Sequence, residues 1–151
     1  MSRGLGDVYK RQLFDTSFSL YGWEDLELGE RLKKIGVKLI KCPEAKGFHW
    51  HPAFNCDQIS LLLNKEIERA KMALIFYQKH KNLRVRFIIQ FTFFHKLLWN
   101  VLCLGGLINT NLIFPFLKFL VKSGRSGIAM EILKLPLNYV YVSELYKLSR
   151  K

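Results

Sequence analysis

Residues 87–121 form a strongly apolar stretch that is interrupted too often to be a clean transmembrane helix. The interruptions are Asn100, the Gly105-Gly106 pair, residues 109–111 and Pro115. A helix that crosses a bilayer needs about 20 consecutive apolar residues, and neither of the two runs in this stretch provides them. We therefore expect a helical hairpin that lies in, or dips into, a membrane interface. Packing against another part of a longer protein is the alternative.

The distribution of charge also favours a membrane surface. The chain of 151 residues has a net charge of +12. Residues 1–60 hold 9 basic and 8 acidic residues, whereas residues 61–151 hold 15 basic and 4 acidic ones. A basic segment suits an anionic membrane surface or a nucleic acid. Here the basic residues are interleaved with Leu, Phe and Ile, so we expect an anionic membrane partner and no nucleic acid.

The first half of the chain contains helix and strand patterns in succession. Acidic residues crowd the start of a helical pattern at Glu24, basic residues follow near its end, and Gly36 is placed to terminate it. Residues 37–42 then alternate between apolar and polar, which predicts a strand closed by Pro43. Residues 44–52 are predicted to be a second short strand or a loop.

Two further helices are predicted outside the apolar stretch. Apolar residues at helical spacing predict a long helix from Asp57 to His80. A shorter helix is predicted from Gly127 to Leu135, where Pro136 should break it.

The sequence Gly22-Trp23-Glu24-Asp25 is the first candidate for chemistry. Two carboxylates would stand at a helix N-terminus, directly after a loop that can turn sharply at the glycine. A carboxylate so placed can accept a proton from a hydroxyl nucleophile, and an indole can stack on the apolar face of a sugar. The alternative is that the acidic residues only cap the helix and complement its dipole.

His49 and His51 are the second candidate. On a strand both imidazoles would point to the same face, and imidazole is a common ligand of transition metals. No carboxylate partner is evident nearby in the sequence, so one structural and one exposed histidine is the competing interpretation.

Residues 14–52 resemble the C-terminal part of the catalytic domain of a family 2 glycosyltransferase. Members typically read Phe-Asp, a variable loop, Gly-Trp-Glu-Asp-x-Glu-Leu-x-x-Arg-Leu, a strand, Pro-Glu-Ala and His-x-His. This chain reads FDTSFSLYGWEDLELGERLKKIGVKLIKCPEAKGFHWHP over that range. The resemblance implies an α/β fold: the C-terminal part of a Rossmann-like GT-A nucleotide-diphosphosugar transferase domain, followed by a mostly α-helical tail.

The resemblance also implies roles for individual residues. Asp25 would be the general base that deprotonates the acceptor hydroxyl, and the reaction would invert the anomeric configuration. Acceptor-binding roles would fall to Glu24, Trp23, Gly22 and Tyr21. His51, or else His49, would help to bind a divalent metal, Mg²⁺ or Mn²⁺, on the donor diphosphate.

The implied organisation has four segments. Residues 1–12 resemble a translated sequencing adaptor, the alternative being a flexible basic N-terminus. Residues 13–56 would be the acceptor-side end of the catalytic domain, 57–82 a helix that follows it, and 83–151 a basic apolar tail. The nucleotide-binding half of such a domain, with its Asp-x-Asp, has no counterpart here. We therefore expect that residues upstream of this segment are missing. We also expect that this chain alone does not bind a cofactor or the donor tightly and does not turn over.

The resulting hypothesis is that the chain is part of an inverting, metal-dependent hexosyltransferase at the cytoplasmic face of the cell membrane. Its partners would be a nucleotide-diphosphosugar donor and a glycan or lipid-linked acceptor, in polysaccharide or envelope-glycan biosynthesis. The alternative hypothesis is a non-enzymatic membrane-associated interaction module.

Overall fold

The computed structural model describes residues 14–38, 40–48, 50 and 52–150, and all regular structure within them is helical. The α-helices are α1 (Glu24–Lys34), α2 (Ile59–Lys79), α3 (Leu83–Ile88), α4 (Phe93–Leu102), α5 (Thr110–Lys122) and α6 (Ser126–Leu148). Short 3₁₀ turns cover Cys56–Gln58 and Leu104–Gly106. The predicted α/β class is therefore wrong, because the described residues form an all-α fold without a Rossmann-like sheet.

The alternating pattern over residues 37–42 does not produce a strand in its described residues, which exclude residue 39. A strand is stable only when a neighbour pairs with its backbone, and no other described segment forms a strand that could do so. The described part of residues 44–52 is likewise loop and turn.

Helix α1 confirms the predicted helix and its predicted end. Its first turn is acidic and its last turn basic, as the helix dipole favours. Gly36 has a left-handed φ of 84°. Its amide donates to the Lys33 carbonyl at 3.1 Å, and the Val37 amide donates to the Leu32 carbonyl at 3.1 Å. These two bonds form a Schellman motif, which satisfies carbonyls at the helix end.

Helices α2 and α6 form the centre of the molecule. The N-terminal half of α2 contributes Ile59 to a core cluster with the N-terminal half of α6, and the C-terminal half contributes Phe76 to a cluster with Tyr141. The two helices therefore run in the same direction. Helix α6 buries residues around much of its circumference, as expected of an interior helix; these are Ala129, Leu133, Pro136, Leu137, Tyr141, Val142 and Leu145.

The predicted break at Pro136 is also wrong, since α6 continues through it to Leu148. A proline inside a helix removes one backbone hydrogen bond. Burial of Pro136 and the residues around it compensates for that loss.

The apolar stretch forms α4 and α5, which both pack on α6. Trp99 of α4 turns inward, and its indole nitrogen donates to Gln90 Oε1 at 2.7 Å. Leu117 and Leu120 of α5 are buried in the cluster that includes Leu133. Among the described residues, no helix has both the length and the apolar composition needed to cross a bilayer.

A buried polar network centred on Glu27 ties α1 to the end of α2. Glu27 is 1% exposed and lies on the inner side of α1. Its carboxylate accepts from Arg31 Nε at 2.8 Å and lies 3.0 Å from Nε2 of His80, which is also buried. The Glu27 side chain therefore depends on partners from both helices.

We expect Glu27→Ala to lower the free energy of unfolding by about 3–5 kcal/mol, because it leaves the buried imidazole of His80 without its carboxylate partner. Chemical denaturation of wild type and variant measures this. Glu131→Ala is the control: Glu131 forms a surface ion pair with Lys134, and its loss should cost about 1 kcal/mol at most. Equal losses in the two variants would contradict the network.

Candidate functional site: the cleft at the start of helix α1

An open cleft of about 410 Å³ lies at the N-terminus of α1. Its walls come from the loop before the helix, from the first turn of the helix and from α2. The lining residues are Phe14, Tyr21, Gly22, Trp23, Glu24, Asp25 and Arg69. The structure therefore brings all five residues from 21 to 25 to one surface, and it adds Phe14 and Arg69.

The chain enters α1 through two successive left-handed residues. Gly22 has φ 101° and Trp23 has φ 77°. The first costs little because glycine has no Cβ, but the second strains a bulky residue by about 1–3 kcal/mol. Such strain persists only where the surroundings fix the residue, and the contacts of Trp23 show how it is fixed.

Trp23 is anchored between α2 and α6. Its indole nitrogen donates to the backbone carbonyl of Arg69 at 2.9 Å. Its ring centroid lies 6.2 Å from that of Phe76 and 6.2 Å from that of Tyr141. The indole was expected to be a stacking surface for a sugar, but these contacts occupy much of it. Tyr21, which is 51% exposed, is the more accessible ring.

The two carboxylates of the motif have different environments. Asp25 is exposed at the N-terminus of α1, and its Oδ1 accepts from the Leu26 amide at 2.8 Å. Glu24 is half-buried, and its Oε2 is inaccessible to solvent without a hydrogen-bond partner among the described residues. Asp25 is thus available to a ligand in the cleft, while Glu24 has an unused acceptor.

Arg69 forms the α2 wall of the cleft. Its guanidinium lies 4.4 Å from the ring centroid of Tyr141 and 5.6 Å from that of Trp23, within the range of cation–π attraction. Its Nη1 donates to Glu66 Oε1 at 3.1 Å, whereas Arg69 Nε and Glu66 Oε2 are buried without partners among the described residues. Burial raises the pKa of the Glu66 carboxyl, and the charge of Arg69 opposes this effect.

The predicted metal ligands cannot be compared with the structure, because His49 and His51 lie outside the described residues. In the part of the chain that the structure describes, no three His, Cys, Asp or Glu side chains come together as a metal site.

Sequence analysis identified neither Arg69, which lines the cleft, nor Glu66, which pairs with it. They lie on α2, more than forty positions after the Gly-Trp motif. No local spacing connects the two segments, and only the packing of Trp23 on α2 brings them together. An arginine and a glutamate three residues apart on a long amphipathic helix otherwise suggest an ordinary surface ion pair.

No family model, curated protein or solved structure matches this chain. The chemistry of the cleft is therefore inferred from its own residues.

We expect Gly22→Ala to destabilise the protein by about 1–3 kcal/mol and to disturb the cleft. The backbone is left-handed at this position, and a Cβ would lie 3.0 Å from Arg69 Cγ. Gly29→Ala is the matched control, because a Cβ there meets nothing within 4 Å. In a helix interior that change should stabilise by about 0.5–1 kcal/mol. Thermal unfolding of the two variants should therefore shift in opposite directions, and similar shifts would refute the constraint at Gly22.

We expect Glu66→Gln to be more stable than wild type at pH 7. The pKa of Glu66 is raised on folding, so the folded state binds the proton more tightly, and stability decreases as the pH rises from the unfolded-state pKa of about 4.3 through the folded-state value. Glu66→Gln avoids this loss of stability, and the difference in unfolding free energy between variant and wild type should disappear below about pH 4, where Glu66 is protonated in both states. Chemical denaturation of both proteins at pH 7 and below about pH 4 measures this difference. A variant less stable than wild type at pH 7 would show that the ion pair with Arg69 outweighs the cost of burial.

Proposed function

We propose that this chain carries the acceptor-side part of an inverting glycosyltransferase, which transfers a sugar from a nucleotide-diphosphosugar to a glycan or lipid-linked acceptor. The observation that supports the proposal is the cleft that joins Tyr21–Asp25 to Arg69. The proposal depends on this cleft and on the Gly-Trp-Glu-Asp motif. It does not depend on a Rossmann-like sheet, which the described residues lack.

The groups around the cleft suit a polyhydroxylated ligand. Glu24 and Arg69 line the cleft. A rotation of either side chain toward the cleft would let a sugar hydroxyl donate to Glu24 Oε2 or accept from Arg69 Nε, which are buried without partners among the described residues. The accessible ring of Tyr21 offers an apolar surface for the C–H face of a sugar. Pairing with the ligand would remove the cost of burying these polar atoms.

Asp25 is the proposed general base. Its carboxylate is exposed at the rim of the cleft, so an acceptor hydroxyl can approach it directly. It would accept the hydroxyl proton while that oxygen attacks the anomeric carbon from the face opposite the departing diphosphate. A divalent metal would balance charge on the diphosphate. The described residues do not themselves form a metal site.

A non-enzymatic membrane-associated module is the second candidate function. The observation that favours it is the large set of exposed apolar side chains on α4 and α5. Such a module would use the acidic start of α1 only for capping. The two candidates differ in whether Asp25 is needed for sugar transfer.

The first experiment is to sequence the genomic DNA upstream of the codon for Leu13. We expect an open reading frame that continues in phase into a segment with an Asp-x-Asp. In the protein so encoded, Asp25→Asn should reduce kcat by about 10²–10⁴-fold while donor binding is retained. Radiolabelled sugar transfer and donor titration measure the two quantities.

Asp57→Asn is the matched control, because Asp57 is exposed and lies outside the cleft. That variant should keep full activity. Undiminished transfer by Asp25→Asn would exclude Asp25 as the base. If the native gene begins at Met1 and the protein transfers no sugar, the glycosyltransferase proposal fails and the membrane module becomes the leading function.

A further inference from the structure

Helices α4 and α5 both present apolar side chains to solvent. A helix at the surface of a soluble protein normally buries an apolar stripe and exposes a polar one. Both helices bury one side on α6, through residues such as Cys103 beside α4 and Leu117 of α5. Their outer sides are nevertheless apolar as well.

The exposed residues of α4 follow helical spacing. Phe93, Phe94, Leu97 and Val101 fall at positions i, i+1, i+4 and i+8, which share one side of a helix. Phe93 is 75% exposed, and the other three are also exposed. The connection to α5 continues the pattern, because Leu107 is 70% exposed.

Helix α5 has an equivalent stripe. Leu112, Phe116 and Phe119 fall at i, i+4 and i+7, and all three are exposed, Phe119 by 62%. Two stripes on consecutive helices, joined by apolar residues, make more exposed apolar surface than single scattered side chains would. We call the exposed apolar residues of the two stripes and of Leu107 the outer apolar face.

The segment that carries the outer apolar face has charges of one sign. Residues 84–130 contain six Lys and Arg and no Asp or Glu. Exposed members of this set are Arg84, Lys118, Lys122 and Arg125. Pairing of two copies through this face would bring like charges together, which costs free energy. An anionic partner with an apolar interior satisfies both features of the surface.

The lengths of α4 and α5 favour a partner on whose surface the helices lie over a partner that they would have to cross. At 1.5 Å per residue, α4 and α5 are about 15 and 20 Å long, shorter than the hydrocarbon core of about 30 Å. Their N-terminal amides are partly satisfied: Thr92 Oγ1 accepts from the His95 amide at 3.3 Å, and Asn109 Oδ1 accepts from the Leu112 amide at 3.0 Å. Capped ends lower the cost of placing a helix terminus in a poorly hydrated region.

We propose that the outer apolar face binds an anionic lipid bilayer. Helices α4 and α5 lie in the interface, with their phenylalanines at the boundary between head groups and acyl chains and with Lys118, Lys122 and Arg125 at the lipid phosphates. This inference is independent of the proposed sugar transfer, since it uses neither the cleft nor Asp25.

Liposome flotation of the 151-residue protein tests the inference. We expect binding to vesicles of phosphatidylcholine with 30% phosphatidylglycerol, weaker binding as salt is raised, and little binding to phosphatidylcholine alone. Phe93→Ser combined with Phe119→Ser should weaken partitioning about tenfold or more, and so should Lys118→Glu combined with Lys122→Glu.

Matched variants control for composition and fold. Phe48→Ser with Leu61→Ser removes two exposed apolar residues elsewhere, and Lys33→Glu with Lys71→Glu makes the same change in net charge elsewhere. Both should partition within about twofold of wild type, and all variants should give the circular dichroism spectrum of wild type.

Three outcomes would overturn the inference. The first is failure of the folded wild-type protein to float with anionic vesicles. The second is a loss of vesicle binding in the two control variants that equals the loss in the Phe93/Phe119 and Lys118/Lys122 variants. The third is salt-sensitive binding to RNA or DNA that competes with the vesicles and is abolished by the lysine changes alone, which would assign the face to a nucleic acid.

Discussion

The anchoring of the Trp23 indole between α2 and α6 is the interaction on which the rest of the candidate site depends. A bulky residue in a left-handed conformation is unfavourable, and the hydrogen bond to the Arg69 carbonyl and the contacts with Phe76 and Tyr141 stabilise it. Because the turn is fixed at Trp23, α1 begins at the next residue. The carboxylates of Glu24 and Asp25 are placed at the cleft by the hydrophobic core.

The second attachment of α1 lies one turn further along the helix. The buried carboxylate of Glu27 interacts with Arg31 on the same helix and with His80 at the end of α2. Two separated attachments, one at Trp23 and one at Glu27, fix both the position and the rotation of a short helix. The cleft is therefore formed by elements that are held rigidly, which is what a binding site requires if its ligand is to be oriented.

Three buried polar atoms without partners among the described residues lie beside the cleft: Glu24 Oε2, Glu66 Oε2 and Arg69 Nε. A fourth, His80 Nδ1, belongs to the network in which both oxygens of the Glu27 carboxylate are hydrogen-bonded. Unpaired buried polar atoms cost free energy, so an added hydrogen-bonding partner would stabilise the surroundings of the cleft at three atoms.

Local patterns in the sequence predicted local structure well. The dipole-matched charges and Gly36 identified α1 and its end, and the apolar stripe identified α2. The same kind of reasoning was wrong at residues 37–42 and at Pro136. A strand needs a partner that a local pattern cannot supply, and burial within α6 outweighs the helix-breaking tendency of a proline. The resemblance to a glycosyltransferase implied a sheet that the described residues do not form.

The sequence by itself determined the positions of α1 and α2, the excess of basic and apolar residues in the second half, and the acidic motif at the start of α1. These features depend on neighbours within a few residues, through hydrogen-bond spacing, capping and the helix dipole. Only the tertiary structure decided that Arg69 lines the cleft with Glu66 as its partner, that Glu27 is buried against His80, and which sides of α4 and α5 remain exposed. Those outcomes depend on which surfaces α6 covers, and contacts between residues far apart in the chain are set by the packing of whole helices.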